Sequence, residues 1–112
     1  MSDQIERLRA LTGTPRDGAL LRFSLGNALL ADGKAAEAAG ELRRALEFDP
    51  GYSAAWKLLG RALVEAGDAA QARRVWTQGI AAAQRAGDVQ AQKEMQVFVK
   101  RLDRSTGNAP PD

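Results

Sequence analysis

The chain repeats its own pattern at an interval of 34 residues. Leu25-Gly26 returns as Leu59-Gly60, Gly33 as Gly67, Ala38 as Ala72, and the bulky Leu42 as the bulkier Trp76. Small answers small and large answers large. A fixed interval of this size marks a stacked array, because one such unit cannot bury its own apolar face and must lean on a neighbour. The same constraint points to binding as the function, since a stack of units offers a continuous surface but names no partner.

At 112 residues the chain is long enough for one domain with a modest core. It contains no cysteine and no histidine. That removes disulfides, thiol nucleophiles, the common zinc sites and the side chain that most often moves protons near neutral pH. No cofactor and no metal are expected, and an enzyme is the weakest of the functional classes. The polar start, Ser2-Asp3-Gln4-Ile5-Glu6-Arg7, has no apolar signal core, and no apolar run approaches the roughly 20 residues of a membrane span. A soluble, cytoplasmic protein that makes no use of a membrane is the expectation. Sixteen basic residues against fourteen acidic ones leave a net charge of only +2, with arginines spread among glutamates. That is a mixed solvated surface, so nucleic acid is not the expected partner.

Alanine, leucine, arginine and glutamine dominate, and apolar positions recur at helical intervals. The pattern predicts six helices and no strand. The first covers about 2–12, with Ser2 as its N-cap, and stops at Thr14-Pro15. The next four cover about 17–31, 35–48, 52–66 and 69–86, separated by Asp32-Gly33, Asp49-Pro50-Gly51 and Gly67-Asp68. Asp68 with Gln71 has the spacing of a capping box. The sixth covers about 89–104 with Ala91, Met95, Phe98 and Leu102 on one stripe, and 105–112 reads as a disordered tail.

With these residues in view, the chain resembles the tetratricopeptide repeat, a helix–turn–helix unit of 34 residues. Units fall at 19–52 and 53–86, flanked by an N-terminal half-repeat helix within 2–16 and a capping helix at 88–104, making one domain over 1–104. The family pattern of a large residue, Leu-Gly, then another large residue is met by Trp56, Leu59-Gly60 and Leu63. The first unit has Leu25-Gly26 and Leu29 but puts Arg22 where Trp56 recurs. The second-helix pattern is met by Ala38, Leu42, Ala45 and Pro50, then by Ala72, Trp76 and Gly79, with Gln84 where Pro50 would return. The resemblance implies an all-α, right-handed superhelix of about six antiparallel helices. Ile5, Leu8 and Leu11 would cover one end of it, and Lys93, Lys100, Arg101 and Arg104 would face outward from the other.

The resemblance further implies a protein–protein interaction module, an adaptor or scaffold, that docks a peptide in its concave groove. Projected onto this chain, that groove takes Leu20, Phe23, Asn27 and Leu30 from one unit and Ala54, Lys57, Arg61 and Val64 or Glu65 from the next, with Phe23, Asn27, Leu30, Lys57, Arg61 and Glu65 the six contact candidates. Lys57 and Arg61 lie one turn apart and could receive a carboxylate beside Asn27, while Phe23 and Leu30 offer apolar contact. The family's clamp for a terminal carboxylate is only partly kept, with Phe23 and Leu58 standing where its lysine and second asparagine belong. The plainer alternative has Lys57 and Arg61 pairing with Glu65 and solvent. The doublets Arg43-Arg44 and Arg73-Arg74 read as solvated residues of the convex face, and Met95 and Phe98 as core of the capping helix. The rival function is a structural one, self-association as a weak homo-oligomer in place of a monomer with a peptide ligand.

Overall fold

A computed structural model describes residues 2–107. Six helices follow one another: α1 (Ser2–Leu11), α2 (Ala19–Ala31), α3 (Ala35–Phe48), α4 (Ser53–Glu65), α5 (Ala69–Ala86) and α6 (Val89–Thr106). Among the described residues there is no strand. Each helix packs against its neighbour in sequence, and α4 also touches α2 and α6. The result is an elongated stack of 50 × 30 × 17 Å.

Helix ends follow local chemistry. After α4, Gly67 turns into the left-handed region at φ 86°, which glycine enters without the Cβ penalty. That turn lets the Asp68 N–H reach the Leu63 carbonyl at 2.8 Å and the Gly67 N–H reach Val64 at 3.0 Å, a pairing that satisfies the last carbonyls of the helix. Asp68 then starts α5 by accepting from the Gln71 N–H at 3.0 Å. The Gln71 amide returns to the Asp68 carboxylate at 2.8 Å, where a full capping box would send it to the backbone N–H. Asp88 caps α6 in the same way through the Ala91 N–H at 3.1 Å.

The small residues of the repeat work by close approach. A Cβ built on Gly26 would lie 2.7 Å from Leu42, and one on Gly60 would lie 2.1 Å from the Trp76 ring. No side chain fits there unless its neighbour moves. Leu25, Leu29, Leu42, Leu59 and Met95 are the largest fully buried side chains. Ile5 closes the N-terminal end, and Leu8 packs on the core beside it.

Three expectations are corrected: that Trp56 is buried as its pattern implies, that Arg22 is a defect in its unit, and that α6 ends at about Arg104. Trp56 is only partly buried, its ring against Gly79 and its Nε1 donating to the Pro50 carbonyl at 2.7 Å. Trp76, 7% exposed, is the deeper of the two tryptophans. Arg22 is not a defect in its unit, because its side chain is 11% exposed and fully engaged. It grips Asp17 with two bonds of 2.9 and 2.8 Å and reaches Glu41 at 2.8 Å. Helix α6 runs two residues beyond Arg104, since the Ser105 and Thr106 hydroxyls donate back to the Leu102 carbonyl before Gly107 turns left-handed. The rest of the expected tail, 108–112, lies outside the described residues, as does the side chain of Ser2.

The missing proline at Gln84 has a structural consequence. Helix α5 extends to 18 residues where α3 has 14. As a result α6 begins 36 residues after α4, although α4 begins 34 after α2. The buried positions follow the new register, Ala55 to Ala91 and Leu59 to Met95.

Candidate functional site

Helices α2, α4 and α6 line up along one side of the stack and leave a cleft of about 430 Å³. Its apolar walls are Phe23 from α2, Leu58 and Val64 from α4, Trp76 from α5 and Phe98 from α6. The polar rim is Asn27, Lys57, Arg61 and Glu65. Five of the six residues expected from the sequence therefore line one cavity. Leu30 does not, because it is 7% exposed and belongs to the core. Val64, one repeat later, is 40% exposed and takes its place on the wall.

The rim cations are already partnered. Lys57 Nζ donates to Glu94 Oε1 at 3.1 Å, and Arg61 Nε to Glu65 Oε2 at 3.2 Å. The second pair is the (i, i+4) bridge expected from spacing, 69% and 45% exposed, and contributes little on its own. The Lys57–Glu94 pair instead crosses from α4 to α6 and links the two helices that flank the cleft. Glu94, Phe98, Leu58 and Trp76 were not among the groove residues expected from the sequence. Glu94 and Phe98 lie on α6, which reads from the sequence as a cap with Phe98 in its core and not as a wall of the groove.

Two aromatic pairs brace the walls. Phe23 lies 5.1 Å from Tyr52, and Trp76 lies 5.2 Å from Phe98, both tilted. Burial, with Asp49 nearby, pushes the Tyr52 hydroxyl above its ordinary range. Trp76 Nε1 donates to the Lys57 carbonyl at 3.1 Å, tying the cleft floor to the backbone of α4. Behind the cleft, Arg73 pairs with the buried Asp103 at 2.7 Å and clips α6 to α5. The Arg73 guanidinium holds that carboxyl below the usual range. Arg73 is thus an anchor of α6 and not simply a solvated convex residue. Arg44 pairs with Glu47 and Arg43 reaches the Gln71 side chain.

Stacked antiparallel helices, a 34-residue sequence interval and a cleft on one side define an α-helical repeat protein. The chain belongs to the tetratricopeptide repeat family, whose model matches residues 29–93. It is 52% identical over 101 residues to the TPR repeat-containing protein PA0015 of Pseudomonas aeruginosa, across 90% of this chain and 96% of that protein. It is also similar to the solution structure of protein BPP2914 from Bordetella parapertussis, at 48% identity and a TM-score of 0.77 over 90% of this chain and 88% of that one. Members of the family generally mediate contacts between proteins and are typically non-enzymatic. Among the described residues no helix is long and apolar enough to cross a membrane.

Proposed function

We propose that the chain is a non-enzymatic adaptor whose cleft takes a peptide or helix of a partner protein by its apolar side chains. The observation that carries this reading is the composition of the cleft. Phe23, Leu58, Val64 and Phe98 form apolar walls, while the charges at the rim are paired off and leave no net site for an ion. An apolar wall with paired charges at its edge favours a ligand that buries large side chains. Such a cleft covers less than a standard interface, which fits micromolar affinity, about −8 kcal/mol.

A photoreactive amino acid placed at Leu58 tests the reading. It is expected to crosslink a protein partner that the same group at Arg44, on the convex face, does not. Equal crosslinking from both positions overturns it. Leu20 stands 70% exposed on α2 and supports the second reading, pairing between two copies. A monomer at every concentration in sedimentation removes that alternative.

A further inference from the structure

We propose that the outer face of α6 is a second docking surface, which takes an acidic amphipathic helix of a partner protein. This inference does not depend on the cleft. At 100° per residue, Val89, Lys93, Gln96, Val97, Lys100 and Arg104 fall on one stripe of α6, opposite the buried Met95 and Leu102. All six are exposed. Gln96 lies where the register places the counterpart of Gly60, the residue that α4 buries against Trp76, yet in α6 no helix covers it.

The charge on this stripe differs from that on the rest of the surface. Elsewhere cations pair with acids, as in Arg9–Glu37, Arg44–Glu47 and Arg61–Glu65. Those without an ion pair among the described residues, Arg7, Arg16, Arg43, Arg74 and Arg85, are spread over α1, the loop after it, α3 and α5, whereas on α6 four stand together. Lys93, Lys100 and Arg104, with Arg101 on the flank, have no acidic partner among the described residues. The acids of α6 itself, Glu94 and Asp103, are already bound to Lys57 and Arg73. These four cations exceed the whole chain's net charge of +2, so the remainder of the molecule is net acidic. A capping face needs charge for solubility but not charge of one sign.

The pattern along the stripe selects the occupant. Lys93 and Lys100 are seven residues apart, as are Val97 and Arg104, and seven residues bring a helix back to nearly the same face. Val89 and Val97, 56% and 43% exposed, add apolar contacts within the same line. A partner helix presenting acids with small apolar side chains at heptad spacing would match both for about 22 Å, the length of the stripe. Nucleic acid is the poorer fit because the stripe has no aromatic platform for bases. A second copy is poorer still, since Asp3 and Glu6 at the opposite end alternate with Arg7 and Arg9.

The test is fluorescence anisotropy with a labelled helical peptide of about 16 residues, glutamate and leucine set at heptad spacing, against the whole chain. Wild type is expected to bind it, with affinity falling as salt rises from about 50 to 300 mM. Lys93→Glu with Lys100→Glu and Arg104→Glu should weaken binding about tenfold or more, and Val89→Ser with Val97→Ser several-fold. Leu58→Asp, in the cleft, should change nothing. If the triple reversal disturbs the helical circular dichroism, Lys93→Gln with Lys100→Gln and Arg104→Gln replaces it. Unchanged binding by the charge variants overturns the proposal, as does equal binding of a lysine-for-glutamate peptide. So does tighter binding of a single-stranded oligonucleotide that ignores the valine changes. A loss through Leu58→Asp alone would place the probe in the cleft and equally overturn it.

Discussion

At the first large position of each repeat unit the chain puts an arginine in one, Arg22, and a tryptophan in the other, Trp56. Unit one answers the vacancy with charge. Arg22 is held by Asp17 and Glu41, and Asp17 also accepts from the Gly13 N–H at 2.8 Å, so the loop after α1 is bound to α2 and α3. Unit two answers with aromatic packing, Trp56 against Gly79 and Trp76 against Gly60. The comparison teaches that a repeat position specifies a volume to be filled between two helices and leaves the chemistry open. The cleft draws on both halves, Phe23 from unit one and Leu58, Val64, Trp76 and Phe98 from beyond it, while the ion cluster anchors the N-terminal end.

The largest expected effect is at the deep ring. Trp76→Ala should destabilise by about 3–5 kcal/mol, and Leu42→Ala, its counterpart, by about 2–4 kcal/mol, read from urea denaturation. Trp76 loses more because the ring also holds Phe98 at 5.2 Å and donates to Lys57. A larger loss at Leu42 would break the claim that unit two carries the heavier packing.

A smaller difference should separate the two glycines. Alanine favours a helix over glycine by about 1 kcal/mol, which offsets part of any clash. At Gly60 the new Cβ meets an indole tied to the backbone, so Gly60→Ala should still lose about 1–3 kcal/mol. At Gly26 it meets the buried Leu42 at 2.7 Å and the Ala38 carbonyl oxygen at 3.3 Å, a less severe approach than at Gly60, so Gly26→Ala should lose less. Equal Tm shifts would mean that the rings are no stiffer than leucine.

The smallest effect is the pH dependence of unit one. The hydrogen bonds from Arg22, and next that from the Gly13 N–H, hold the Asp17 carboxyl far below the usual carboxylate range. A lowered carboxyl adds stability that is fully present above the unfolded pKa of about 4 and is lost as pH falls toward the folded one. Wild type should therefore lose urea resistance from about pH 5 downward, and Asp17→Asn should start lower and fall less steeply. Parallel curves for the two proteins would show that the cluster adds nothing through its charge.

Much of this fold is legible in the sequence. The 34-residue echo, the turn glycines Gly33 and Gly67, and the aspartates at Asp68 and Asp88 locate five helix boundaries to within a residue or two, because each acts through its nearest neighbours. Phe23, Asn27, Lys57, Arg61 and Glu65 are assigned to one face through the resemblance to the repeat family, since they lie on two different helices. Leu30 and Trp56 show the limit. Their patterns say apolar and large, but how deeply each is buried depends on what the adjacent helix brings. Leu30 is covered, whereas Trp56 stays at the surface with its Nε1 on the Pro50 carbonyl.

By itself, then, the sequence determined the helices, their order and the small-against-large matching that makes them stack, since these rest on periodicity and on caps within a few residues. Tertiary structure alone decided the long-range partners of the charges. Lys57 finds Glu94, Arg73 finds Asp103 and Arg22 finds Glu41 across 37, 30 and 19 residues. A side chain's spacing along its own helix fixes the direction in which it points. What stands opposite depends on the helix lengths in between, and here the longer α5 shifted α6 by two residues.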